Sequence, residues 1–380
     1  MASFIPYGRQ CIDDDDIQAV VDTLKSDFIT TGPKIDEFET AVASFTGARR
    51  GIAVSNGTAA LHAAMFAAGI KPGDEVIVSP ITFVASSNVV IYQGGVPVFA
   101  DVLPGSLLID PEEARRKITP RTKAIVAVDY AGQPCDYSAL REIADEHGLF
   151  LIADACHSIG GIYKGKKVGM LADMTALSFH PVKHITSGEG GMVLTDNYKW
   201  AEKMKAFRGH GISTDYRQRE KMGSWHYDML SLGYNYRITD FQCALGISQL
   251  KKLPAWIKRR QEIARKYDAA FASEELVTPL ENQPDVANAY HLYVIKLSKK
   301  LNRCEVFSAL RNAGIGVNVH YIPVHYHPYY REKFGTCEGM CPVAEEAYER
   351  IISLPMFPTM TVEEEDRTIS TVLETVNKFL

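Results

Sequence analysis

Four short apolar runs constrain this chain more than any other feature: Glu75-Val76-Ile77-Val78, Val96-Pro97-Val98-Phe99-Ala100, Ala124-Ile125-Val126-Ala127-Val128 and Leu149-Phe150-Leu151-Ile152-Ala153. They are continuous rather than alternating, the pattern of strands covered on both faces. Helix-like stretches stand between and after them, at Phe83 to Tyr92, Pro111 to Ile118 and Tyr137 to His147. Strand and helix in alternation predict an α/β fold, a largely parallel sheet with helices on each side. In such sheets ligands gather at the carboxyl ends of the strands, so the residues just past each run are the first place to look for chemistry.

The remainder of the chain extends this pattern. Ile12 to Phe28 reads as a helix whose acidic opening, Asp13 to Asp16, suits the positive end of its dipole. Asp36 to Phe45 is a second helix, stopped by Gly47; a strand at Gly51 to Val54 and a helix at Thr58 to Ala68 follow. Beyond residue 155 the rhythm changes. Thr175 to Phe179 and Gly191 to Thr195 read as strands around a Gly-rich turn. Arg237 to Leu253 and Pro254 to Ala272 read as helices, with Lys258, Arg259 and Arg260 on a solvated face. A strand from Tyr290, a helix at Glu305 to Ala313, a strand at Ile315 to Val319, a Tyr/His/Pro-rich loop and two closing helices complete a smaller α/β unit. At ~100–200 residues per domain, the 380 residues divide into a large domain at 1–250 and a small one at 251–380.

Composition narrows the function. With 46% hydrophobic residues the chain can bury a large core without a disulfide or metal staple. A net charge of −5 argues against nucleic acid as the main partner. The seven cysteines are odd in number and mostly far apart, which reads as reduced thiols in a cytoplasmic protein. No apolar run reaches the ~18 residues of a membrane span. The first residues, Met1 to Tyr7, lack the basic and apolar regions of a secretory signal.

Three stretches hold candidate chemistry. Ser55-Asn56-Gly57-Thr58 lies between a strand and a helix. Glycine and free helix-start N–H groups there suit a phosphate, though an ordinary Asn-Gly turn with a Thr cap has the same letters. No Walker A sequence and no Gly-x-Gly-x-x-Gly follows the first strand, which weakens ATPase and nicotinamide readings. Asp154 ends an apolar strand, where a carboxylate needs a partner: a cap, an ion pair or a cationic ring nitrogen. His157 follows, placed to orient that carboxylate or cover a ring. Lys183 stands past a strand between His180 and His184; a desolvated lysine there becomes nucleophilic. A metal at His180 and His184 lacks a third ligand, and His320, His325 and His327 fit no common zinc spacing. Pyridoxal phosphate needs an amine for its aldehyde, a carboxylate for its ring nitrogen and an anchor for its phosphate. Lys183, Asp154 and the Asn56-Gly57-Thr58 turn supply all three.

These stretches, with Thr30-Thr31-Gly32-Pro33, Pro80 to Ser86, Ser178 to Lys183, Gly188-Glu189-Gly190-Gly191 and Gly233-Tyr234-Asn235-Tyr236-Arg237, resemble the DegT/DnrJ/EryC1/StrS family of sugar aminotransferases. The resemblance implies the type I aspartate-aminotransferase fold, pyridoxal 5'-phosphate linked covalently to Lys183, and a homodimer with shared active sites. It implies that Lys183 carries the reacting proton and that Asp154 keeps the pyridine nitrogen protonated. Phe83 and His157 would flank the ring; Gly57, Thr58 and Ser178 would bind the phosphate, joined by Asn235 from a second subunit. Tyr7, Asp27, Phe28, Ile29 and Thr30 would line the sugar-nucleotide site. So would His320, Tyr321, Ile322 and Pro323, beside Gly57, Ser178 and Asn235.

Val128 to Gly132, Lys183 to Thr186 and Val319 to Pro323 look most like the transaminases of the pseudaminic-acid pathway. That likeness implies L-glutamate as amine donor and C4 of a UDP-linked 4-keto-6-deoxy-N-acetylhexosamine as acceptor. Gly57 says little about substrate, since various small residues stand there in related enzymes. Related dehydratases carry histidine at the lysine position, so Lys183 favours transamination. A catalytically silent scaffold on the same fold and a nucleotide-sugar oxidoreductase are the rival expectations.

Overall fold

A computed structural model describes residues 3–379; Met1 and Ala2, at the start of the terminal segment read above, lie outside them. The apolar runs form the centre of a seven-stranded sheet: β1 Arg50–Val54, β2 Glu75–Val78, β3 Val96–Phe99, β4 Thr122–Val128, β5 Phe150–Asp154, β6 Met174–Ser178 and β7 Gly191–Thr195. Their order is β1-β7-β6-β5-β4-β2-β3. Strands β2 to β6 pair in parallel, and β7 runs antiparallel to both β6 and β1. Only β7 is reversed, so six carboxyl ends open on one edge.

Side chains along each strand alternate between the two faces although nearly all are apolar. Ile77, Ile125, Ala127, Leu151 and Ala153 join one core cluster. Val76, Val78, Ala124, Val126 and Ile152 join the other. The helix Gly57–Ala68 is Ala-rich and apolar on all sides, so it is buried, between β6, β7 and a helix at Tyr198–Arg208. Asn56 caps its start, accepting from the Ala59 N–H at 2.8 Å.

A smaller antiparallel sheet of Val277–Pro279, Tyr293–Leu297 and Ile351–Leu354 is packed with helices Arg303–Asn312 and Val362–Lys378. Its core cluster also takes in Ile5 from the far end of the chain.

Four differences from the sequence reading have physical causes. Asp240–Phe271 is one helix with Pro254 inside it, so the expected division at 250/251 falls within a continuous element. An interior proline costs about 3 kcal/mol, and burial of the flanking Leu253 and Ile257 offsets it. Arg260 is not on a solvated face: it is 1% exposed, and its guanidinium donates to the carbonyls of Tyr290, His291 and Met356. Ile315 to Val319 is not a strand but carries isolated bridges, Ile5 to Ile315 and Asn318 to Ser353. Gly316 donates its N–H to the Ile5 carbonyl at 2.7 Å, so close that a Cβ there would meet that carbonyl at 2.6 Å, and the pairing is confined to these single bridges. The closing region holds three helices, Pro328–Phe334, Pro342–Tyr348 and Val362–Lys378, and the strand Ile351–Leu354. No helix among the described residues is long and apolar enough to cross a membrane.

Candidate active site

The carboxyl edge of the sheet opens into a cavity of about 1080 Å³. Lys183 and Asp154, far apart in sequence, both line it. Asp154 is the last residue of β5 and 8% exposed. Its Oδ2 accepts from the Ser86 hydroxyl at 2.6 Å and its Oδ1 from the Cys156 N–H at 3.3 Å. Ser86 is tied in turn to Thr82 at 2.7 Å. Among the described residues no Lys, Arg or His forms an ion pair with this carboxylate. A buried charge with neutral donors alone has unused capacity for a cation, which fits a pyridinium nitrogen.

Lys183 follows the turn after β6, where its N–H bonds the His180 carbonyl at 2.9 Å. Burial depresses the pKa of its amine, opposed by the nearby Cys156 and Asp154. Burial likewise lowers the pKa of the nearby imidazoles of His157, His184, His291 and His320. Burial and then the Lys183 charge hold His157 well below its ordinary value and bring His320 down to about 4. His184 turns away from the cavity, its Nε2 donating to the Ala289 carbonyl at 2.9 Å. An amine whose pKa burial lowers gives up its proton more readily than a surface lysine, which suits attack on an aldehyde and proton transfer.

His157 presents a flat, neutral face. Its Nε2 meets the Tyr321 hydroxyl at 3.2 Å, and its ring lies 4.3 Å from that of His291. Phe83 is 58% exposed at the cavity, with its ring 6.1 Å from that of Tyr321. At the start of helix Gly57–Ala68, Gly57 and Thr58 line the cavity together with Ser178. A Cβ on Gly57 would meet the Ser178 Cβ at 2.9 Å and the Cys156 sulfur at 3.2 Å. The missing Cβ of Gly57 lets the helix start sit this close to the end of β6, bringing free N–H groups beside a hydroxyl. Such an arrangement is suited to cradle a phosphate. Amine, carboxylate, flat neutral face and cradle together fit pyridoxal phosphate.

Tyr7, His320 and Tyr321 also line the cavity, packed ring on ring: Tyr7 lies 5.4 Å from His320, and His320 5.0 Å from Tyr321. Other expected residues do not reach it within this chain. Asp27 and Phe28 line a second cavity between helices Asp14–Leu24, Pro33–Thr46 and Asp240–Phe271. Ile29 and Thr30 are exposed beside that helix start, with Thr30 bridged to Thr239. Asn235 is exposed and bridged to Gly209. Ile322 is 44% exposed, and Pro323 opens the short turn Val324–Tyr326; neither lines the cavity.

Conversely, Ser86, His291, Asn318 and His62 belong to the cavity without having been singled out. Ser86 carries a local signal, a hydroxyl in the first turn of a helix after a strand. His291 carries none, because the small-domain segment around it is placed by Arg260. Among the described residues no cluster of His, Cys, Asp or Glu is arranged to hold a metal.

Residues 10–373 match the DegT/DnrJ/EryC1/StrS aminotransferase family. The spore coat polysaccharide biosynthesis protein SpsC of Bacillus subtilis is 42% identical over 379 residues, 98% of this chain and 97% of that protein. Among solved structures, Helicobacter pylori PseC, an aminotransferase involved in the biosynthesis of pseudoaminic acid, superposes with a TM-score of 0.92 at 33% identity, over 99% of this chain and 100% of the other. Spr1654 of Streptococcus pneumoniae in its PLP-form gives 0.93 at 31% identity, over the same 99% and 100%.

Proposed function

The chain belongs to the DegT/DnrJ/EryC1/StrS aminotransferase family, and from that membership we propose that it moves the amino group of L-glutamate to C4 of a UDP-linked 4-keto-6-deoxy-N-acetylhexosamine, leaving 2-oxoglutarate. At the coarser level it is a pyridoxal-phosphate-dependent sugar aminotransferase. The observation that carries the reading is Lys183 and Asp154 on the walls of one cavity, with the Gly57 helix start on the same cavity.

Pyridoxal phosphate, when bound, supplies an aldehyde for the amino group and a cationic ring that draws electron density from the reacting carbon. The chain's residues do the rest. The Lys183 amine would take a proton from the glutamate α-carbon in the first half of the reaction and deliver a proton to C4 of the sugar in the second. The Asp154 carboxylate keeps the proton on the ring nitrogen. His157 and Phe83 hold the ring plane, and the N–H groups of Gly57 and Thr58 with the Ser178 hydroxyl grip the phosphate. Tyr7, His320 and Tyr321 offer neutral polar groups to a hexose.

The UDP-sugar assignment is supported by the likeness to PseC and by the stretches at Val128 to Gly132 and Val319 to Pro323. The higher identity to SpsC, a spore coat polysaccharide biosynthesis protein, favours a second reading, a different nucleotide-linked keto-sugar such as a dTDP- or GDP-linked one. Incubation with glutamate and a panel of UDP-, dTDP- and GDP-linked keto-sugars separates them. The 4-amino product is expected from the UDP-linked sugar by mass spectrometry; amination of only another nucleotide's sugar overturns the assignment.

We further propose a homodimer in which Asn235 serves the partner's phosphate cradle. Beside Asn235 stands an exposed apolar segment: Trp225 is 88% exposed, Leu230 69% and Leu232 73%. Exposed large apolar side chains gathered in one segment suit burial against a second copy of the chain. Light scattering is expected to give twice the 42.1 kDa of one chain, and Leu232→Asp to halve that mass. A wild-type mass of one chain contradicts the proposal.

A further inference from the structure

Three walls of the cavity come from distant parts of the chain: the turn with His157, the segment with His291, and the loop with His320 and Tyr321. One short stretch just past β4, Asp129 to Gly132, is bonded to all three. Asp129 Oδ2 accepts from the Ser158 hydroxyl at 2.5 Å, beside His157. Its Oδ1 accepts from the Cys135 N–H and the Tyr137 hydroxyl, which fix it in place. The Ala131 and Gly132 carbonyls accept from the N–H groups of Leu292 and Ala289, on either side of His291. The Tyr130 hydroxyl donates to the carbonyl of His320. Tyr130 is 1% exposed and packed in the main core cluster, so its hydroxyl cannot wander.

The His320 ring is held separately, its Nδ1 meeting the Ser353 hydroxyl at 2.8 Å and its Nε2 meeting the Asn318 amide at 3.3 Å. Tyr130 therefore holds the backbone of the loop and Ser353 holds the ring it displays. We propose that Tyr130 is a positioning residue for the keto-sugar half of the reaction, fixing the His320–Tyr321 wall against which the hexose is oriented. The inference rests on the sugar-aminotransferase reading above.

The chemistry of that wall sets the direction of the effect. Tyr7, Asn318, His320 and Tyr321 present phenol, amide and imidazole groups and no cation, which complement the hydroxyls of an uncharged ring. Glutamate brings two carboxylates, for which this wall has no charged partner. Loosening the wall therefore affects the sugar more than the donor. Tyr130→Phe keeps the buried ring and removes only the hydroxyl, leaving the His320 carbonyl unpaired.

The test separates the two halves of turnover. In Tyr130→Phe holoenzyme, the absorbance change driven by glutamate is expected to keep its rate and KM. The KM for the keto-sugar is expected to rise about 10- to 100-fold, the scale on which a small displacement of a substrate-positioning wall acts. Calorimetric binding of the aminated sugar-nucleotide product weakens by a similar factor. Ser353→Ala, which frees the ring of His320, shows the same split and serves if Tyr130→Phe does not fold. Equal losses in both halves, or no loss in either, overturn the inference while wild-type amine transfer stands. A wild-type protein that transfers no amine from glutamate to any keto-sugar overturns the functional reading instead.

Discussion

Lys183→Ala is expected to abolish amine transfer in a protein that still folds. Lost proton transfer alone accounts for about 10²- to 10⁴-fold, and the variant also loses the nucleophile that anchors the cofactor aldehyde. The fold survives because the lysine works against it. Burial lowers its pKa below that of the unfolded chain, so the unfolded state binds the proton more tightly. The group therefore opposes folding at every pH below the unfolded value, and stability recovers as pH rises between the folded and unfolded values. Alanine removes that cost, so the variant should melt no lower than the parent near neutral pH. Mass spectrometry of the sugar product and a circular-dichroism melt check the two halves of the statement. Turnover within tenfold of the parent contradicts the role given to Lys183.

Asp154→Asn should give the second largest effect. An amide fills the same space and still accepts from Ser86 through its oxygen, so the network with Thr82 is retained. What disappears is the negative charge proposed to hold a proton on the ring nitrogen. Loss of one preorganised electrostatic contact of this kind costs about 10²- to 10³-fold in turnover. The measurement is kcat at saturating cofactor, so that weaker cofactor binding does not enter. A fall of less than threefold means the carboxylate serves structure alone.

The parts of the site legible in sequence share one property: each sits within a few residues of the end of a predicted strand. Asp154 ends β5, Lys183 follows β6 and Gly57 follows β1. In a sheet with six co-directional strands, that local position is enough to fix a place at the common edge. The same logic fails for Asp27 to Thr30, Asn235 and Ile322–Pro323, which belong to connecting segments whose position depends on packing elsewhere. Resemblance alone marks them, and within one chain they stay outside the cavity. His291 failed in the opposite direction. It is carried into the site by the buried Arg260, a residue that reads from sequence as surface charge. The helix around Pro254 was misread because local propensity weighs the missing N–H and not the buried Leu253 and Ile257 beside it.

That 32-residue helix has a consequence for anyone who would take the molecule apart. Near its beginning, the Asp240 carboxylate receives the N–H groups of Gly32 and Lys34. Five turns on, Arg260 fastens the carbonyls of Tyr290, His291 and Met356. A gene cut near codon 250 would saw through this girder: the Asp240 contacts to Gly32 and Lys34 would stay with the front fragment, the Arg260 contacts with the rear one, and the rigid connection between them would be lost. Chimeras that trade sugar preference between relatives are better spliced in surface turns on either side of it, with the girder inherited whole from one parent.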